Sequence, residues 1–279
     1  MADRTRQGNQ FVFDGQATDP ALLPIRFPRP SALSFALYAT GLAFFIVSMR
    51  SINFSLSEFV YGFPYIMDLV SEMFPPSLRR VDAVALSLLE TLQMALVGTV
   101  FGVAFSLVLG ILATKSQTPN KVLYYLSRNL IALFRTVPDL IWALFFVVMV
   151  GLGPFAGTLA IMIDTIGFCG RFFAEAMEEV DKGPQEALEA LGASRLGTVI
   201  CAVIPAALPS FVNTALFSLE KATRSSVVLG LVGAGGIGIE LKVSMDMFMY
   251  SEASTIILLI FCLVLLVEQL SSRLRKRII

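Results

Sequence analysis

The stretch LVGAGGIGIE, residues 231–240, sets Gly233, Gly235 and Gly238 in the G-x-G-x-x-G spacing of a dinucleotide-binding turn. Glu252 follows about twenty residues after the first glycine, where an acid that binds ribose would stand. Such a turn needs a strand before it, a helix after it and a βαβ unit of about thirty residues around it. Here the preceding residues, 206–232, form a largely apolar run of membrane-spanning length, and another run begins at Ser254. The context fails on both sides, and the fold question becomes one of membrane helices. Lacking side chains, Gly233, Gly235, Gly236 and Gly238 permit unusual dihedrals and close helix approach. They read either as an irregular gate segment at the end of a span or as plain packing of that helix end.

The composition agrees. Of 279 residues, 56% are hydrophobic and 15% charged, and the mean hydropathy is +0.77, whereas a soluble domain carries about 25% charged residues. The absence of histidine removes imidazole acid–base chemistry and nearly all His-containing metal sites. Cys169, Cys201 and Cys262 are too far apart for a C-x-x-C motif and stand in apolar surroundings, which marks them as packing residues. Neither a metal nor a nucleic-acid partner is expected, and no cofactor is expected in this chain.

Six candidate spans emerge, at residues 31–49, 84–113, 131–150, 154–173, 206–232 and 254–270. Residues 51–76, interrupted by Glu58, Asp68, Glu72 and several prolines, read as an amphipathic interfacial segment. No apolar stretch precedes Ser31, so the first run is expected to stay as an anchor rather than be cleaved as a signal peptide. The expected organisation is a polar tail over 1–30, a first span with its amphipathic segment over 31–80, a membrane core over 81–271 and a basic tail over 272–279. With the N-terminus inside, the inner side collects Arg4, Arg6, Arg26, Arg29, Lys115, Lys121, Arg128, Arg171, Lys182, Arg195 and the RLRKR tail. The outer side then holds Arg50, Arg79, Arg80 and Lys242, a bias that places both termini in the cytoplasm. The fold class is an all-α integral membrane protein with about six transmembrane helices.

Between the fourth and fifth spans the chain reads KGPQEALEALGASRLGTVICAVIP, residues 182–205. Pro184 suits the first turn of a helix, and Glu186 and Glu189 lie near its positive end. Ala187, Leu188 and Leu191 share one face; Gly192 can take the left-handed conformation that ends a helix, and Ser194 can cap the next. A short helix at about 183–196, a sharp break and a second helix entering the membrane are predicted. By spacing alone this is either a helix made to slot into a groove on a soluble partner or an ordinary helix–turn–helix connection.

The segment resembles the EAA coupling motif of ABC-importer permeases, with Glu186, Ala187, Leu188 and Gly192 in its first part, Ala193 following, and Ala202, Ile204 and Pro205 at its end. Leu188 replaces the usual second alanine, and Ala202 stands where a larger aliphatic is common. From about Thr91 onward the chain is similar to phosphonate-type permeases of the methionine-permease-like superfamily. The likeness rests on TLQMALVGT (91–99), FRTVPDLIWAL (134–144), VGLGPFAGTLA (150–160) and RSSVVLGLVGAGGIGIEL (224–241). The resemblance implies a type I permease core whose cytoplasmic helix docks in a cleft of the ATP-hydrolysing subunit. It also implies a second permease copy or paralogue, two cytoplasmic ATP-binding subunits carrying ATP and Mg, and an extracytoplasmic phosphonate-binding protein, all in a bacterial inner membrane. This chain contains no G-x-x-x-x-G-K-[ST] phosphate loop, in keeping with a separate ATPase.

Five charges interrupt the spans: Arg135 and Asp139 in the third, and Glu220, Lys221 and Arg224 in the fifth. Each would cost about 2.5–3.5 kcal/mol at the centre of a lipid-facing helix, so they should face protein or water. Arg135 with Asp139, and Glu220 with Arg224, are i, i+4 pairs expected to neutralise each other on one helix face, leaving Lys221 without such a partner. For the first pair a second reading stays open, in which Pro138 weakens the helix and the pair braces a break or an inner gate. Glu220, Lys221 and Arg224 carry a net positive charge, and Ser225 adds a hydroxyl beside them. Arg224 and Lys221 are therefore expected to line the path of an anion near the outer half of the membrane.

The function expected is that of a permease subunit for phosphonates or related phosphorus oxyanions, with no catalytic residues of its own. Permeases for phosphate, phosphite or a methionine-like solute, and an ion-coupled secondary transporter, are the alternatives.

Overall fold

The computed structural model of the protein describes residues 31–118 and 120–278, so the expected tail over 1–30, with its four arginines, lies outside the described residues. Among the described residues there are only helices, with no strand. Five are long and apolar enough to cross a membrane, and a bent pair makes up to six.

The chain divides into two compact units at Phe63 and Pro64. In the first unit, α1 (Ala32–Ser51) starts where the Ser31 hydroxyl accepts the Ser34 N–H at 3.2 Å. None of its residues is buried, as suits an apolar helix surrounded by lipid. α2 (Leu56–Met73) runs across the division, carries Glu58, Asp68 and Glu72, and is not among the candidate spans.

The second unit holds the remaining helices: α3 (Val81–Leu112), α4 (Lys121–Thr136), α5 (Asp139–Val150), α6 (Pro154–Glu179), α7 (Gly183–Ala190), α8 (Arg195–Thr198), α9 (Ile204–Gly230), α10 (Ile237–Asp246) and α11 (Tyr250–Ile278). Its axis is the α3–α6 pair. Gly98, Gly102, Ser106 and Gly110 recur every fourth residue on α3 and so form one stripe of small side chains, all buried. A Cβ at Gly98 would stand 2.7 Å from Ile161 Cγ2, and one at Gly102 would stand 2.5 Å from Thr165 Cβ. Backbones therefore meet closely, as membrane helices do when lipid gives no hydrophobic drive for association. Gly98, Gly102 and Gly110 face Ile161, Thr165 and Phe173 in that order, so the two helices run parallel. At their far end Phe173, Cys169 and Met177 pack with Val203, Ala207 and Phe211 of the chain entering α9. Cys201 and Cys262, expected as packing residues, are instead exposed on the bundle surface.

The expected single span over 131–150 is corrected to two helices, α4 and α5, bent by 92°. Pro138 supplies no N–H and forces the residue before it out of the helical region: Val137 sits at φ −79°, ψ 122°. α9 is entered through a wide π-helical turn at Val199–Val203, with Ile204 N–H bonded to Val199 O. Pro205 follows in the first turn of α9, where its ring needs room against the preceding carbonyls.

Candidate functional site

Three features of the second unit meet along α9. Before it lies the α7–α8 segment. Gly192 takes φ +81°, Ala193 N–H bonds Leu188 O at 3.0 Å and Gly192 N–H bonds Glu189 O at 2.9 Å. This is a Schellman ending, and it satisfies carbonyls that the last turn of α7 would otherwise leave open. Two residues on, the Ser194 hydroxyl accepts the Gly197 N–H at 3.2 Å and starts α8. α7 buries none of its residues: Glu186 and Ala187 are exposed, Leu188 is half-buried, and Leu191 is 83% exposed. Gln117 of the α3–α4 connection reaches Gln185 at 3.2 Å and ties α7 to the bundle.

The charged residues of α9 are paired, but not with each other. The expected i, i+4 pairing of Glu220 with Arg224 is corrected. Glu220, buried, accepts from Arg275 at 2.6 Å, and Arg224 lies 3.8 Å from Glu268, both partners being on α11. Lys221, expected to have no neighbour of opposite charge on its own helix, donates to both carboxylate oxygens of Asp164 at 2.8 Å from across the bundle. Its ammonium also lies 5.3 Å from the Phe168 ring centre. Lys221 lies nearer the Gly230 end of α9 than the Ile204 end, and Asp164 nearer Pro154 than Glu179 of α6, so the pair stands toward the glycine loop rather than toward α7. Ser225 is half-buried next to Arg224.

Arg135 and Asp139 also fail to pair on one helix face, because the helix breaks between them. Asp139 instead accepts the Leu140 N–H at 2.9 Å at the start of α5, where a carboxylate meets the positive helix end. Arg135 packs its backbone on α6, where a Cβ at Gly167 would stand 2.7 Å from its nitrogen. Among the described residues its guanidinium has no ion pair.

Beyond α9, residues 231–236 form the glycine loop. Gly233, Gly235 and Gly236 have φ of +88°, +91° and +74°. α3 clasps it: Glu90 Oε1 accepts the Gly236 N–H at 2.9 Å and Thr91 Oγ1 the Ile237 N–H at 2.7 Å. The α5–α6 connection closes the other side, with Gly153 N–H on Gly233 O at 3.0 Å. Gly238 lies in α10 and crosses α9 at Gly230, where a Cβ on Gly230 would be 2.7 Å from Gly238 Cα. Helices flank the loop on both sides, which excludes the strand-and-helix frame of a dinucleotide turn. Glu252, the would-be ribose acid, lies 3.6 Å from Arg80, which also holds Glu240 at 3.0 Å.

Glu90, Asp164 and Arg171 hold positions in this arrangement that the sequence reading did not single out as site residues. Glu90 is the single charge in its apolar run and Asp164 the single acid in its own, and an ionisable residue in such a run marks a site or a partner.

Comparisons with known proteins bear on what this arrangement does. Residues 106–278 match the family described as binding-protein-dependent transport system inner membrane component. The chain is 39% identical over 215 residues to a phosphite transport system permease protein of Stutzerimonas stutzeri, spanning 77% of this chain and 78% of that one. It is 36% identical over 251 residues to a phosphate-import permease protein of Mycolicibacterium smegmatis, spanning 88% of this chain and 46% of that one. Among solved structures, the inward-facing MetNI methionine ABC transporter matches with a TM-score of 0.63 at 27% identity, over 73% of this chain and 99% of that one.

Proposed function

This chain belongs to the family of inner membrane components of binding-protein-dependent transport systems, and from that premise we propose that it carries phosphorus oxyanions such as phosphite, phosphate or phosphonate. It is a multi-pass permease subunit of an ABC importer, not an enzyme, and ATP is hydrolysed by a separate subunit. In the reading put forward here it sits in a bacterial cytoplasmic membrane with both termini inside. It pairs with a second copy or paralogue, and works with two ATP-binding subunits that hold ATP and Mg and with an external oxyanion-binding protein.

The observation that carries the coupling role is the α7–α8 segment. A helix with no buried residue, ended by a Schellman turn and followed by a capped helix, leads into α9 through a wide turn. In this reading a subunit that grips α7 at Glu186, Ala187 and Leu188 moves the base of α9 through Gly192, Ala193 and Pro205. Relatives named for phosphite and phosphate support the substrate class. So does Lys221, a cation of α9 that Asp164 holds from across the bundle. A permease needs contacts that release as readily as they form, and an ammonium already held by a carboxylate offers an anion such a contact. Energetically the chain supplies a gate with two states, and each partner biases it by binding one state better.

The test is reconstitution in proteoliposomes with the cognate binding protein and ATPase. Phosphite, phosphate or a phosphonate should stimulate ATP hydrolysis and accumulate inside, with uptake insensitive to an ionophore while ATP is kept high. Uptake that collapses with the ionophore would establish an ion-coupled transporter instead, and stimulation by methionine alone would overturn the oxyanion reading.

A further inference from the structure

α4 and α6 enclose a second cluster of charge, nearer the α7 end than the Lys221–Asp164 pair. Arg128, Arg135 and Arg171 line a cavity of about 220 Å³ whose other walls are Ala113, Ile131, Ala132, Ala174 and Glu175. Arg171 follows Asp164 by seven residues on α6, about 10 Å along the axis. Asp164, Arg171, Glu175 and Glu178 recur at helical spacing on one face, and Arg128 and Arg135 recur likewise on α4.

Two of the three guanidiniums are steadied by carboxylates and keep most of their donors free. Arg171 Nε donates to Glu175 at 2.6 Å. Arg128 lies 3.5 Å from Glu178 and donates to the Tyr124 hydroxyl at 2.6 Å. Each guanidinium has five N–H groups in a fixed fork suited to tetrahedral oxyanions, and these contacts use only a small part of them. Arg135 has no ion pair among the described residues. The cavity is therefore left with an excess of positive charge, and its three exposed guanidiniums can be reached by an anion from outside the bundle.

We propose that this cavity is a phosphate-type oxyanion site, separate from the Lys221–Asp164 pair, with Arg135 as its uncompensated cation and Arg128 and Arg171 as its flanking forks. This deepens the oxyanion reading above and rests on it for the identity of the cargo. A transported anion leaving Lys221 would next meet Arg135 and Arg171 on its way to the α7 end. The same chemistry fits the phosphate of an anionic lipid headgroup, and basic pockets between membrane helices also take such groups.

The probe is inorganic phosphate, titrated by equilibrium dialysis against the purified transporter with its ATPase in neutral phosphatidylcholine nanodiscs. Phosphate should bind, with competition by phosphite, and Arg135→Gln should weaken binding about tenfold or more. Arg135→Lys, which keeps the charge and loses the fork, should recover part of it and shows that the loss is not misfolding. In parallel, nanodiscs doped with phosphatidylglycerol are examined by native mass spectrometry. Retained phosphatidylglycerol that Arg135→Gln releases, with no Arg135-dependent phosphate binding, supports the site and assigns it to lipid. If neither phosphate nor phosphatidylglycerol binding depends on Arg135, the proposal is overturned. Proteoliposome uptake of phosphate separates the two readings. Uptake without Arg135-dependent binding overturns this site alone, and Arg135-dependent binding without uptake of any phosphorus oxyanion overturns the transport reading alone.

Discussion

Gly192, ahead of α8 on the way into α9, and Gly235, just after α9, hold nearly the same backbone angle, φ +81° and +91°, in opposite surroundings. A Cβ built at Gly192 meets nothing within 4 Å, whereas one at Gly235 would lie 2.5 Å from Pro154 Cα. The first glycine answers only a local demand, to end α7 in a left-handed turn. The second answers that demand and a distant one, because the start of α6 occupies the space a side chain would need. One end of α9 is thus left open for a partner to grip, and the other is already gripped by α3, α5 and α6. The two ends are joined along α9 and also along α6, which leads into α7 at one end and meets Gly235 at the other.

The largest effect is expected at Gly235. Valine there faces a strained backbone angle, about 1–2 kcal/mol, and a clash with backbone that cannot rotate away, about 1–3 kcal/mol more. Gly235→Val should abolish oxyanion uptake while a substantial fraction of the protein still purifies as a monodisperse complex. Uptake per folded molecule is the measurement. If uptake and folded yield fall in equal proportion, the loop is ordinary helix-end packing and the gate role is lost.

Gly192→Val tests the open end. Only the dihedral cost of about 1–2 kcal/mol applies, since the site is exposed and empty of neighbours. Thermal stability of the isolated permease should change little, while ATP hydrolysis stimulated by substrate and binding protein should fall severalfold or more. A loss of stability as large as that at Gly235 would erase the contrast between the two ends.

The same contrast explains what could be read in the sequence. Pro184, Gly192 and Ser194 act on their own neighbours within a few residues, so the helix, its ending and the next cap follow from local rules. The spans follow from length and hydropathy, except where Pro138 divides one. The partners of the charged residues do not follow. Lys221 finds Asp164 at a separation of 57 residues, and Glu220 finds Arg275 at 55. The i, i+4 rule concerns helix surfaces in isolation; inside a bundle, a facing helix that offers an opposite charge wins over it. The clasp by Glu90 and Thr91, 146 residues from the loop they hold, was beyond local reading for the same reason.

Arg224 carries the smallest expected effect and links the two ends. Its pair with Glu268 is long at 3.8 Å and both side chains are 53% exposed, so breaking it should change stability by no more than about 0.5 kcal/mol. Lys221, one turn away toward α7, is held by two contacts of 2.8 Å, so it can meet a passing anion only weakly. If Arg224 lines the path, Arg224→Gln should lower the rate of phosphite or phosphate uptake severalfold while protein level, melting temperature and the basal ATPase rate stay unchanged. The loose pairing is what permits this, because a guanidinium that is not already committed can turn to an oxyanion and let it go. Unchanged uptake would remove Arg224 from the path and leave Lys221 as the one charge of α9 on which the anion reading stands.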